Sequence, residues 1–319
     1  MKIHAKYNLL LLLLILVVGC KTPLPEPVTN PGVESYLKNL ISIMQANSIN
    51  RKIIDWEKFT SNVLKKAAGA QTIDDEKITA AIVQALTDLQ DSHSFFINNK
   101  GVYLLGLNRG DCTNNTPIVP ILDKEIGYIK ISSFGGSGLE ANSFASKIQN
   151  TIQKTDNSDI KGWIVDLRGN SGGNMWPMLA GIGPILGEGT AGYFIDPDGD
   201  EFVWGYNNGS VIGVRVTPYS LLKPNPKVAV LTDQATASSG EAIAIAFRSR
   251  NNTRSFGLST CGLSTANQGF SLADGSMLLL TVSNMADRTK KVYGKKVVPD
   301  VVENNQQIYL QQAIDWLKQ

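Results

Sequence analysis

The chain carries few side chains able to activate a nucleophile, and that scarcity narrows the chemistry. It contains two histidines, His4 and His93, and His4 lies in an N-terminal apolar segment. A hydroxyl becomes a useful nucleophile only when a base removes its proton. If a serine–histidine pair operates here, His93 in "QDSHSFF" is the base. Two adjacent serines, Ser238 and Ser239 in "TASSGEAIA", follow the apolar run "KVAVLTD" and precede a helix-like stretch. A helix N-terminus presents free amides and favours developing negative charge. Taken alone, either serine reads first as an N-cap, and His93 reads first as a helix-end or surface residue. Beyond the N-terminal segment that ends at Cys20, one histidine and two distant cysteines provide too few ligands for a metal site.

The third segment is "VDLRGNSGG", residues 165–173. Gly172 and Gly173 there let a backbone amide approach a substrate without a Cβ in the way. Asp166 and Arg168 can pair and brace the loop. The segment has neither the dinucleotide-binding glycine pattern nor a P-loop lysine, and the serine turn is not a G-x-S-x-G elbow.

These residues must be positioned by elements that the sequence outlines. Residues 33–92 read as a small helical domain: Val33, Leu37, Leu40, Ile41 and Met44 keep helical spacing. So do Trp56, Phe59, Val63 and Leu64, then Ile78, Ile82, Ala85, Leu86 and Leu89, with Thr72 and Asp75 as a start signal. Residues 93–319 alternate strands and helices, which argues for an α/β core with a largely parallel sheet. Within them, 187–226 is rich in Gly, Asp, Asn and Pro and reads as an irregular insertion capping a cleft. At 319 residues and 43% apolar the chain can bury a sizeable core. A net charge of +2 without a basic aromatic-interleaved run argues against nucleic acid.

The N-terminus bears on location. Lys2 and Lys6 precede ten apolar residues, Leu9–Val18, fewer than the roughly 20 a membrane span needs. This is the pattern of a secretory signal, residues 1–19. "VVGC" resembles a bacterial lipobox with Cys20 as the lipidated residue, and residues 20–32 read as an extended tether. The expectation is a protein of the cell envelope, lipid-anchored on the extracytoplasmic side of a bacterial membrane. Cys112 and Cys261 either pair or stand alone. The sequons at Asn114, Asn208 and Asn251 then read as polar loops.

Taken in order, "IGYIKISSF", "VDLRGNSGG", "VLTDQATASSGEAIAIAF", "FGLSTCGLSTANQGFSLADGSMLLLT" and "VVPDV" resemble the C-terminal processing (tail-specific) serine peptidases over roughly residues 90–302. Within that family the likeness is nearest to the nisin-resistance-type peptidases, which have a His-Ser pair before the core and a "SANQ" segment. The resemblance implies a crotonase-like α/β peptidase core with no metal or organic cofactor, acting on peptides or unfolded protein tails. It implies Ser238 as nucleophile and the amide of Ser239 as one oxyanion donor. Gly172, or failing that Gly173, would be the other donor. His93 corresponds to the base of the histidine-using branch, with Ser92 as an orienting neighbour. Leu263 stands where many relatives carry a catalytic lysine, and only about 30 residues separate His93 from "IGYIKI", too few for a PDZ domain. Asp287 and Glu241 are the candidate acids to orient His93. "TANQGF", residues 265–270, would border the cleft, where an extended substrate could add to a sheet edge. The competing expectation is a peptide- or lipid-binding lipoprotein that keeps the scaffold without turnover.

Overall fold

The computed structural model describes residues 27–319 except 109, 111, 114 and 115. The expected signal (1–19), Cys20 and most of the tether lie outside the described residues, as does the sequon at Asn114. The chain opens with three helices, α1 (Pro31–Asn47), α2 (Trp56–Lys66) and α3 (Glu76–Asp88). Each starts at an acidic or amide cap: Asn30, Asp55 and Asp75 accept from first-turn amides. Their buried faces carry the periodic residues expected of them, among them Leu37, Leu40, Met44, Phe59, Val63, Ile82 and Leu86. The helices do not close a core alone. Phe96 from the segment just after them and Leu272, Leu278 and Leu280 from far along the chain complete it.

After α3 come two short strands, β1 (Phe95–Ile97) and β2 (Tyr103–Leu105), then β3 (Ile126–Lys130), α4 (Gly138–Thr155), β4 (Gly162–Asp166) and α5 (Met175–Leu186). Residues 187–226 are more regular than their composition suggests. They hold β5 (Gly189–Ile195), β6 (Glu201–Tyr206), β7 (Ser210–Val211) and β8 (Val214–Arg215). The chain continues through β9 (Lys227–Thr232), α6 (Ser239–Ala246), β10 (Thr253–Gly257), β11 (Thr265–Ser271), β12 (Met277–Asp287), β13 (Val301–Val302) and α7 (Gln306–Lys318).

Two sheets organise this mixed α/β fold. One is fully parallel, in the order β13-β10-β9-β4-β3. Side-chain alternation explains its burial on both faces. Trp163, Val165, Val228 and Val230 pack against α4, α5 and α6, while Ile164, Ala229 and Leu231 pack under α7. The other sheet runs β2-β1-β12-β5-β6, with β11 also paired to β12 as a hairpin. Its pairings are antiparallel. Two of the four strands in 187–226 therefore belong to this sheet, β7 and β8 pair with each other, and Phe194 from β5 reaches the cleft described next. Among the described residues, no helix is long and apolar enough to cross a membrane.

Candidate active site

Strand β9 ends at Thr232, and the chain turns through Asp233–Ala237 before α6 begins. That turn is tied to the neighbouring "RGNSGG" turn by side chains acting as hubs. Asp233 Oδ1 accepts from the amides of Gly169, Ala235 and Thr236. The Thr236 hydroxyl donates to the Leu167 carbonyl, and the Ala237 amide to that of Asn170. Ser239 Oγ donates to the Gly173 carbonyl at 2.6 Å. Further back, Asp166 and Arg168 form a buried bidentate pair. Arg168 also bonds Tyr309 and Gln306 of α7, bracing the strand end.

At the junction sits Ser238, with φ 52° and ψ −115°. A non-glycine residue at positive φ away from the left-handed helical well is strained, and such strain persists where the surroundings over-determine it. Here the restraint is visible. The Ser238 amide donates to Glu241 Oε2 at 2.9 Å, and Gly172 presses from the other side. A Cβ on Gly172 would lie 2.8 Å from Ser238 Cβ and 3.0 Å from the Ser239 nitrogen. Only glycine permits the two turns to approach this closely.

The two glycines then separate in role. The Gly172 amide is occupied, donating to Asn170 Oδ1 at 2.9 Å. Gly173 lines the cleft beside Ser238 and Ser239. Ser239 is the first residue of α6, so its amide has no carbonyl one turn back within the helix to bond.

His93 enters the same cleft from the segment after α3. Asp91 shapes that segment, its Oδ1 accepting from the amides of His93 (2.9 Å) and Ser94 (2.6 Å). Asn267 Nδ2 donates to the His93 carbonyl at 2.9 Å, and Thr265 Oγ1 lies 2.8 Å from His93 Nδ1. With a hydroxyl accepting from Nδ1–H, Nε2 is the ring nitrogen that carries the lone pair. Thr265 thus takes the orienting position for which a carboxylate was expected. Neither candidate acid bonds the imidazole. Asp287 accepts from Thr289, Lys291, Tyr293 and Ser249 in a separate turn. Glu241 is fully buried and accepts from the Thr260 hydroxyl and the amides of Gly262, Leu263 and Ser238. Burial pushes its pKa up to about 7, against the pull of those four donors. Ser92 lines the cleft, and among the described residues it shows no side-chain hydrogen bond.

Asp91, Thr265 and Asn267 escaped assignment from sequence as supports of His93. "DSHS" is a legible Asx-turn pattern for Asp91. Nothing in "TANQ" announces which residue its threonine meets. Leu263 closes one wall, packed with Ala237 and Cys261. Cys261 is joined to Cys112 by a disulfide, which resolves the pairing left open by sequence. Phe95, Leu105, Trp176, Phe194 and Met285 add apolar wall to a cavity of about 430 Å³ that Ser171, Asn174 and Asn267 also line.

Residues 125–303 match peptidase family S41. That is more than half of the chain, and the protein belongs to this family. The span includes Ser238, Gly172 and Gly173, whereas His93 precedes it. Among curated relatives, the nisin-resistance protein of Lactococcus lactis subsp. lactis is 32% identical over 195 residues, 60% of this chain and 59% of that protein. The carboxy-terminal processing protease CtpA of Bacillus subtilis (strain 168) is 28% identical over 56% of this chain and 35% of its own length. The chain therefore spans less than two thirds of either relative. Among solved structures, a lipoprotein from Streptococcus agalactiae has a TM-score of 0.72 at 24% identity, covering 90% of this chain and 96% of that one. The photosystem II D1 C-terminal processing protease has a TM-score of 0.56 at 14% identity, covering 85% and 93%. These two likenesses concern the fold.

Proposed function

We propose that this protein is a serine endopeptidase of the cell envelope, cutting peptides or unfolded protein tails. The observation that carries the reading is one cleft holding a strained serine at a helix N-terminus and a histidine with an oriented ring. In the proposed reaction Ser238 Oγ attacks the scissile carbonyl while His93 Nε2 takes the hydroxyl proton. Thr265 Oγ1 accepts from Nδ1–H and holds the imidazolium that forms. The proton passes to the leaving amine, and water repeats the sequence on the acyl-enzyme. The oxyanion is received by the amides of Ser239 and Gly173, donors of a kind worth ~3 kcal/mol each in well-studied enzymes. The occupied Gly172 amide favours Gly173 for this role over the first choice made from sequence. Extended substrate would lie along the start of β11, with apolar side chains against Trp176 and Phe194.

Membrane attachment through a lipidated Cys20 is part of the proposal. It rests on the lipobox-like "VVGC" and on the shared fold of a streptococcal lipoprotein. The test of the catalytic reading is labelling with a fluorophosphonate probe. Wild type should label, and Ser238→Ala should not. His93→Ala should slow labelling by at least about 100-fold, the usual reach of a positioned general base. Absence of labelling in the folded wild type would replace the enzyme by a binding protein on a peptidase scaffold.

A further inference from the structure

A second cavity, of about 590 Å³, lies across His93 from the apolar cleft. The two share Asp91, Ser92, His93, Leu263 and Thr265 as a common wall. Beyond that wall they differ in chemistry. The first adds aromatic and aliphatic side chains such as Phe95, Trp176 and Phe194 among neutral polar ones and no charged group; the second adds Asn50, Gln90, Asn284, Lys295 and Lys296. Its one carboxylate, Asp91, is already engaged by two amides and by the hydroxyls of Ser94 and Thr281. Lys295 and Lys296 have no ion pair among the described residues, so the cavity keeps a positive balance.

The lysines are mounted on fixed backbone. The Gly294 amide donates to the Ser264 carbonyl, the Thr260 amide to the Val297 carbonyl, and the Val297 amide to Thr260 Oγ1. Gly262, where a side chain would collide with Lys296 at 3.1 Å, keeps the two segments in contact. This strip, residues 260–264, is the one whose hydroxyl and amides hold Glu241, and it leads directly into Thr265. A cationic pair has therefore been fastened to the loop that supports the proposed nucleophile and base. Both lysines are exposed at the cavity wall, and cations without an acid partner favour an anion that can accept charge-assisted hydrogen bonds.

We infer that this second cavity is a subsite for a carboxylate of the bound peptide, Lys295 and Lys296 being its recognition residues. Resting on the peptidase reading, it deepens that reading by giving the substrate a polarity: an apolar stretch on one side of His93 and a carboxylate on the other. The carboxylate comes either from the peptide's C-terminus or from an Asp or Glu side chain.

The test uses the full chain carrying Ser238→Ala, so that binding is read without turnover. The probes are synthetic decapeptides of Ala, Leu and Phe, titrated by calorimetry. One pair differs as free acid against C-terminal amide, and a second pair is amidated and differs by one internal Glu against Gln. We expect at least about tenfold tighter binding of the carboxylate member in one pair, the worth of a charge-assisted hydrogen bond. That preference should disappear in Lys295→Gln/Lys296→Gln and weaken at high salt. Discrimination in the first pair assigns the C-terminus, and in the second an acidic side chain. Equal binding within both pairs, no binding of any peptide, or a preference surviving the double substitution overturns the subsite. Fluorophosphonate labelling of the same lysine variant on a Ser238 background reports on the peptidase reading separately, because the small probe does not need the lysines.

Discussion

Ser238 and Glu241 are coupled as a capping box at the start of α6, and the consequences are electrostatic. Four donors converge on the Glu241 carboxylate, two on each oxygen. That arrangement suits an acceptor-only group, yet complete burial opposes its charge and raises its pKa from 4.5 to about 7. A carboxyl raised in this way holds its proton longer in the folded chain than in the unfolded one. Between those two values the folded state binds more protons, so stability falls as pH rises. The contribution is fully present below pH 4.5 and lost as pH passes through about 7. The gap corresponds to about 3 kcal/mol at full ionisation. Glu241→Gln removes the titration and sets an amide NH2 against two donors, a cost that does not vary with pH. The stability of wild type minus that of the variant should therefore fall by about 3 kcal/mol between pH 4.5 and 8, measured by urea unfolding. A difference that stays constant would mean that Glu241 titrates alike in the folded and unfolded chains.

At the scale of elements, the β11–β12 hairpin is the part that places His93, the proposed base. Thr265 and Asn267, two residues apart at the start of β11, hold the ring and the carbonyl of His93 respectively. A register shift between Ala266 and Asn267 marks the place, and such bulges re-aim side chains beside sites. Thr265→Val removes the acceptor while keeping the shape. It should lower kcat/KM about 10- to 100-fold through kcat, the range expected for a hydrogen bond to a charged group. Thr265→Ser should recover most of the loss, and steady-state cleavage of a fluorogenic peptide reads both. Equal loss in the two variants would reduce Thr265 to a packing role. Most elements themselves were legible, because their periods are strong: every residue of β4 is buried and α1 keeps one apolar face. Strands β5 and β6 were not. Their aromatic pieces are interrupted by Gly, Asp and Asn, and the pairing of β5 with β12 is decided by residues some 90 positions away. The orienting group was missed for the same reason. Triad chemistry directs attention to carboxylates, whereas the partner of His93 Nδ1 is set by a strand pairing 172 residues distant. Ser238 and His93, which the fold brings into one cleft, were singled out because scarcity of histidine left one candidate base, and the glycine turn because its spacing is local.

Over the whole molecule, the proposed nucleophile and base belong to different cores. Ser238 stands on the parallel sheet, backed by α6 and the large core of residues such as Ile243 and Val230. His93 stands at the exit of the helical unit, three residues before Phe96, which packs with Leu86, Leu278 and Leu280. The S41 match begins at residue 125, so the base is contributed by chain that precedes it. Alignment of the site then depends on the seam between the helices and β12 rather than on stability in general. Two substitutions of comparable cost separate these ideas. Phe96→Ala empties a site that is 1% exposed at the seam, and Leu317→Ala empties one equally buried beneath α7. Each should cost about 3–5 kcal/mol, the common range for large-to-alanine changes in cores. At a temperature where both remain folded by circular dichroism, Phe96→Ala should slow fluorophosphonate labelling of Ser238 about tenfold or more. A drift of even an ångström in a catalytic group is enough to produce that loss. Leu317→Ala should label within about twofold of wild type, since α7 packs on the face of the parallel sheet opposite α6 and a surviving fold preserves the geometry. Equal slowing in both would show that the site senses overall stability and that the seam holds no special place in it.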